Sequence, residues 1–167
     1  MSFSPSLTVR DITPHDKPAL TRMHARLSDE TRYRRYHASK GDLTTGDLRY
    51  LTEVDGHRHM AVVAEDPTAP GELLGVARAV ALDEAGREAE LAIVVRDDVQ
   101  HDGVGAVLVD ALRRRAREEG IVELVAEVQA DNHRALRFFQ GQGARQRKAG
   151  WSGVYALIIP ADPPPAD

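Results

Sequence analysis

The stretch from Ala89 to Glu119 constrains this chain more than any other. It holds a short apolar run, AELAIVV, a polar turn ending in Gln100-His101-Asp102-Gly103-Val104-Gly105, and a long amphipathic segment. Strand, glycine turn and helix in that order present backbone N–H groups to an anion. The first N–H groups of a helix lack intrahelical partners, and the helix dipole adds partial positive charge there. Two glycines let the backbone approach a phosphate with no Cβ in the way. Val104, Val107, Leu108, Ala111 and Leu112 form the apolar stripe, with Arg113, Arg114, Arg117 and Glu118 placed elsewhere. The helix is therefore expected to pack on a sheet with its start fixed relative to the strand Glu88–Val95.

The pattern before this stretch is a short strand around Leu7–Ile12 and a helix from Asp16-Lys17-Pro18 to Leu27. Proline early in a helix costs no hydrogen bond. Ser28 suits the cap of a second helix, with Asp29 and Glu30 well placed for its dipole, and a third runs from Thr45 to Val54. The period then changes. Met60–Ala64, Leu73–Leu82 and Glu88–Val95, joined by short turns, predict an antiparallel meander. After the helix that stops at Gly120 come a strand Val122–Val128, a helix Asn132–Gln142 stopping at Gly143, and strands Ala144–Lys148 and Val154–Ile159.

At 167 residues the chain reads as one domain, 1–160, followed by a proline-rich tail, 161–167, that cannot continue a sheet and is expected to be disordered. With 42% hydrophobic and 29% charged residues it has the composition of a soluble protein, and a net charge of −4 does not suit a general nucleic-acid binder. No apolar run approaches the roughly 20 residues of a membrane span, and the N-terminus has no apolar targeting core, so no membrane partner and a cytoplasmic location are expected. The absence of cysteine excludes disulfides, thiolate nucleophiles and cysteine-ligated metals. The histidines have no metal-ligand spacing, so no metal is expected.

Two motifs now carry a resemblance. Gln100, Gly103 and Gly105 match the Gln/Arg-x-x-Gly-x-Gly/Ala phosphate signature of the GNAT-type N-acetyltransferases. Asn132, Ala135, Phe138, Phe139 and Gly143 match the family's later Asn-x-x-Ala-x-x-Phe/Leu-Tyr/Phe-x-x-x-Gly. A narrower likeness lies in Ser28-Asp29-Glu30-Thr31-Arg32-Tyr33-Arg34-Arg35-Tyr36, which resembles Ser-Pro-Glu-Ser-x-Tyr-x-Arg-Phe in the GNAT domain of bacterial Pat-type protein-lysine acetyltransferases. The resemblance covers roughly Leu7–Ile159. It implies an α/β (α+β) GNAT fold, a mixed, largely antiparallel sheet of about six to seven strands flanked by about four to five helices. It also implies acetyl-CoA as co-substrate and an amine acceptor, either a protein lysine or a small molecule.

On that reading, Gln100, His101, Asp102, Gly103, Val104 and Gly105 hold the CoA pyrophosphate. Ile93, Val94 and Val95 offer main-chain groups to the pantetheine arm, on a strand that in the family splays from its neighbour, often at a bulge. Asn132 caps its helix or also reaches the cofactor, and Phe139 is core or a wall for CoA. Asp102 stands where the family often has a basic residue, with His101 or Arg96 as the expected offset. Glu90 is the expected general base: a carboxylate inside an apolar strand is costly unless it has a partner or a task, and the attacking amine must lose a proton. Phe139 replaces a tyrosine that protonates the departing thiolate, so Tyr155 is the candidate acid, unless another group serves or the thiolate leaves unaided. Tyr33, Arg35 and Tyr36 are expected to line the acceptor site. Without cysteine or a serine in a nucleophile elbow, direct attack is favoured over a covalent acetyl-enzyme. Two readings stay open beside it, a non-catalytic acyl-CoA-binding module and a nucleotide-binding domain of another type. An exposed last strand could pair with a second copy, so a homodimer is an option.

Overall fold

The computed structural model describes residues 7–36, 41–100, 102–147 and 153–162, with the side chain of Tyr36 outside the description. Seven strands form one sheet: β1 (Val9–Asp11), β2 (His59–Glu65), β3 (Leu73–Ala81), β4 (Glu88–Val95), β5 (Glu123–Gln129), β6 (Arg145–Arg147) and β7 (Val154–Pro160). Their order across the sheet is β1-β2-β3-β4-β5-β7-β6. All neighbours are antiparallel except β4 and β5. Five α-helices accompany them: α1 (Lys17–Ala25), α2 (Asp29–Tyr36), α3 (Thr45–Thr52), α4 (Val104–Glu118) and α5 (His133–Gly141).

The two faces of the sheet carry separate cores. In a strand, successive side chains point to opposite faces, and the runs in β2 to β5 are apolar on both. Met60, Val62, Leu74, Ala77, Ala89, Leu91, Leu124 and Ala126 pack beneath Val104, Leu108 and Leu112 of α4 and Phe139 of α5. On the other face, Ala61, Val63, Leu73 and Val76 pack against Leu20 and Met23 of α1 and Leu51 of α3. Gly75 shows how closely α4 lies on β3: a Cβ there would stand 2.8 Å from the Val94 carbonyl oxygen and 3.0 Å from Leu108 Cδ1.

The stripe of α4 differs from the sequence reading. Val107 is 42% exposed and Arg113 is buried, together with Val109 and Ala116. The helix has two neighbours rather than one, so its buried face turns toward the end of α5, where the Arg113 guanidinium donates to the Gln142 carbonyl. A cation suits the carbonyl-rich end of a helix. Arg115 leaves the other side of α4 to pair with Asp11 of β1 at 3.1 Å.

Two expectations about the chain end are corrected. The last strand is not an edge, because β7 lies between β5 and β6. Pro160 completes β7 opposite Glu123, and Ala161 is buried, its N–H donating to the Val122 carbonyl and its own carbonyl accepting from Arg117. The ordered fold thus reaches past Pro160; residues 163–167 lie outside the described residues.

Candidate active site

The parallel pair β4 and β5 is joined for three residues only. Glu88, Ala89 and Glu90 pair with Glu123, Leu124 and Val125; beyond them β4 continues to Val95 and β5 to Gln129 with no further ladder between them. The sheet therefore opens as a V at the C-terminal ends of the two strands. The splay expected for Ile93, Val94 and Val95 is present. A bulge in β4 is not, since its register with β3 is continuous from Ala89 to Val95.

Each strand leads into a helix at this open end. After β4, Arg96 folds back and holds the turn. It donates to Asp66 at 3.1 Å and to Asp98 at 3.0 and 2.8 Å, with its own side chain 7% exposed. Burial works to raise the Asp66 carboxyl, but hydrogen bonds from Thr68 and then Arg96 outweigh it and hold it below the usual carboxylate range. Asp98 is lowered chiefly by its hydrogen bond from Arg96. Arg96 is committed to these carboxylates, so it does not offset Asp102 as the sequence suggested. The Asp102 carboxylate, half-buried, has no hydrogen-bond or ion-pair partner among the described residues. His101 lies outside them.

The two glycines of the turn have different roles. Gly103 caps α4 at φ +83°, a left-handed conformation, and a Cβ there would meet nothing within 4 Å. No side chain caps the helix, so the first-turn N–H groups are left to an external acceptor. Gly105 is different: a Cβ on it would stand 3.2 Å from Phe138 Cε2 and Cζ. The space that the sequence reading gave to an anion is filled by an aromatic ring of α5. Gln100 points back, its Nε2 donating to the Val95 carbonyl at 3.1 Å while its Oε1 accepts from Arg134 of α5. Asn132 caps α5, accepting from Ala135 N at 3.3 Å. Phe139 is buried in the core, in edge contact with Phe138, ring centroids 5.1 Å apart.

The helix α2 crosses the mouth of the V. At its start, the Ser28 N–H and hydroxyl and the Thr31 hydroxyl donate to Asp97, just past β4, at 2.9, 3.0 and 2.5 Å. Near its end, Arg34 donates to Gln129 and Asp131, at the end of β5, both at 2.7 Å. The Pat-like segment therefore ties the two strand ends together. Burial would raise Asp97, and the hydrogen bonds from Thr31 and Ser28 more than reverse it.

Glu90 is exposed, which corrects the expectation of a buried carboxylate. Its face of β4 is not core at this point but the floor of an open groove of about 330 Å³. The walls are Arg35 of α2, Asp47 and Tyr50 of α3, and Arg78 and Val80 of β3, with Ala92 beside Glu90. Arg35 thus lines the same groove as Glu90. Tyr33 is 45% exposed and is not a lining residue. Asp47 and Tyr50 were missed; neither stands in a motif, and only the fold carries α3 over β4. Arg78 is buried and donates to the Leu51 carbonyl and to His59 Nε2 at 2.9 Å. Burial, reinforced by Arg78, lowers His59 to about 4, so its ring is neutral. Tyr155 of β7 faces the other side of the sheet, opposite Val128, against the core under α4.

Residues 20–144 match the family model of the acetyltransferase (GNAT) family. The chain belongs to the GNAT family. GNAT proteins are acyl-transferring enzymes, and the mixed seven-stranded sheet with five helices is their fold. Among its relatives, acetyltransferase Pat of Mycolicibacterium smegmatis is 30% identical over 159 residues, 95% of this chain and 46% of that protein. The chain thus spans about half the length of this curated relative. The crystal structure of the GNAT domain of S. lividans PAT superposes with a TM-score of 0.86 at 28% identity, covering 92% of this chain and 90% of that one. YncA of Salmonella typhimurium, a structure with its cofactor acetyl-CoA, shares the fold at 17% identity and a TM-score of 0.72, covering 94% and 95% of the two chains.

Proposed function

We propose that this chain transfers an acetyl group from acetyl-CoA to a primary amine, preferably a protein lysine, by direct attack with Glu90 as general base. The observation that carries the reading is the exposed Glu90 carboxylate in a groove beside the open V of β4 and β5. Acetyl-CoA supplies the thioester. Its pyrophosphate fits the uncapped first turn of α4 at Gly103, where the left-handed cap leaves open space. Val95 and its neighbours Ile93 and Val94 border the V, where their main-chain groups can hold the pantetheine arm. The likeness to acetyltransferase Pat and the family's cofactor chemistry support this donor.

In this scheme the amine lies in the groove between α3 and β4. The Glu90 carboxylate accepts a proton from the ammonium, directly or through one water, freeing the nitrogen lone pair. The new N–C bond forms as the C–S bond breaks, and the nitrogen gives up its second proton to water to leave a neutral amide. The thiolate takes a proton from Tyr155 on the far face of the sheet or leaves unaided, as its acidity near neutral pH permits. Arg35 limits the groove beside Glu90; Tyr33 of the same helix stands outside its lining, and the side chain of Tyr36 lies outside the described residues. The groove volume also falls at the low end of the roughly 300–1,000 Å³ of small-molecule sites, which supports a small amine as the second reading.

Replacing Glu90 by Gln tests the assignment. The expected result is a fall of about 10²–10⁴-fold in turnover with an amine or protein acceptor, with CoA affinity unchanged. Undiminished turnover sinks the role of Glu90. A wild type that binds CoA but acetylates no amine or lysate protein supports a binding module instead.

A further inference from the structure

We propose that Arg134 is a diphosphate-binding residue, a second jaw that closes on the CoA pyrophosphate from the α5 side of the V. The inference rests on the reading that CoA binds at the turn before α4. Three observations support it. First, Arg134 stands in the first turn of α5, where the helix dipole disfavours a cation, and neither α4 nor α5 has an acidic residue in its first turn. The helices α2 and α3 follow the opposite and ordinary rule, with Asp29 and Glu30 in one and Asp47 in the other. The helix α1 also lacks one, so the absence is not confined to the V; what sets the two helix starts at the V apart is that both first turns face one another and are clear of carboxylates.

Second, the Arg134 guanidinium already reaches across the V. Its Nη1 donates to Gln100 Oε1, a neutral amide, and it forms no ion pair among the described residues. Gln100 is itself fixed by its Nε2 bond to the Val95 carbonyl. The exposed guanidinium is thus held at the turn by a partner that leaves its charge uncompensated. It can turn from the amide to a phosphate oxygen without breaking a salt bridge. Third, the turn needs a cation. Asp102 brings to the rim a carboxylate with no partner among the described residues, and Arg96, nearest in sequence among them, is spent on Asp66 and Asp98. Arginine's planar fork suits two phosphate oxygens where lysine offers a single point charge.

The amide of Gln100 then has a defined task. It sets the Arg134 fork at the height of the α4 first turn, so that N–H groups from one side and a guanidinium from the other meet the same diphosphate.

The test compares wild type with Arg134→Gln and Arg134→Lys by calorimetric titration with CoA, dephospho-CoA and pantetheine, and by turnover on acetyl-CoA and acetyl-pantetheine. Arg134→Gln is expected to weaken CoA and dephospho-CoA alike by roughly tenfold to a hundredfold, the worth of a charge-assisted contact. Arg134→Lys is expected to recover part of the loss, and kcat/KM on acetyl-pantetheine should not move. Asp102→Asn should tighten CoA, a gain that a folding defect cannot mimic. Loss confined to CoA and absent with dephospho-CoA would place the contact on the 3′-phosphate and overturn the assignment. Unchanged CoA affinity in Arg134→Gln overturns it as well, while wild type still binds CoA and the functional reading stands. If wild type binds no CoA, both fall together.

Discussion

Replacing Arg96 by Met removes the charge that holds the turn between β4 and α4 while keeping most of the side-chain volume. Arg96 and Asp66 are 7% and 9% exposed in their side chains, whereas Asp98 is 54% exposed. Asp98 can therefore return to water, but Asp66 is left as a buried carboxylate with Thr68 as its remaining partner, through bonds of 2.9 and 2.7 Å. Breaking a buried pair by deleting one member costs about 3–5 kcal/mol. The freedom of Asp98 puts this case at the lower end, about 3 kcal/mol. For a domain of this length that corresponds to a fall in Tm of roughly 6–12 °C. The sign with pH follows from the two carboxylates. Both are lowered in the folded state, so their stabilisation is complete above the ordinary carboxylate value of 3.8 and is lost as pH falls below it. The difference between wild type and variant should be full at pH 7 and shrink on acidification below about pH 4. Urea melts at several pH values, with calorimetry for Tm, measure both. A variant as stable as wild type at pH 7, or a difference that grows toward low pH, refutes the argument.

Two further outcomes follow from the same packing. Gly105→Ala should be near neutral, since the gain of up to about 1 kcal/mol in helix propensity offsets the shift forced on Phe138, whereas Gly105→Val should cost about 1–3 kcal/mol by overpacking; chemical denaturation reads both, and Phe138→Leu should restore the valine variant. His59, lowered to about 4 from 6.5, takes up its proton more readily unfolded than folded, so the stabilisation it brings as a neutral ring is lost as pH falls from 6.5 toward 4. His59→Gln should flatten the stability profile in that window, and an unchanged slope there would show that other groups set it.

Much of the fold was legible because its signals are local. Glu88–Val95 was bounded correctly by its apolar run, and the helices ending before Gly120 and Gly143 stop at glycines with φ +78° and +84°. The glycine turn and the Asn132 cap were equally readable. What failed depends on contacts between distant segments. No periodicity tells that β7 inserts between β5 and β6, because antiparallel strands alternate identically at an edge and inside. Val107 and Arg113 exchanged places because a second helix, absent from any helical-wheel count, covers one side of α4. The exposure of Glu90 escaped a reading of its apolar strand for the same reason. Its face of β4 is open only because α3 stands back from it and leaves a groove. Asp47, Tyr50 and Arg134 each became visible only when distant elements were brought together.

The short pairing of β4 and β5 bears on the direct attack proposed above. Glu90 lies at the last paired position, Glu90↔Val125, and faces the groove under α2 and α3. Tyr155 lies on the opposite face, against the core under α4 and α5. In a continuous sheet these two groups could not serve one reacting carbon, since the ladder would fill the space between them. Past Glu90 the two strands are unpaired, and α2, tied to Asp97 on one strand end and to Gln129 and Asp131 on the other, spans the gap between them. In the proposed reaction the proton is taken on one face and returned on the other, so donor and acceptor must occupy the two sides together. A mechanism in which the donor leaves before the acceptor arrives would need a nucleophile to store the acetyl group, and a chain without cysteine offers none of the usual thiolate kind.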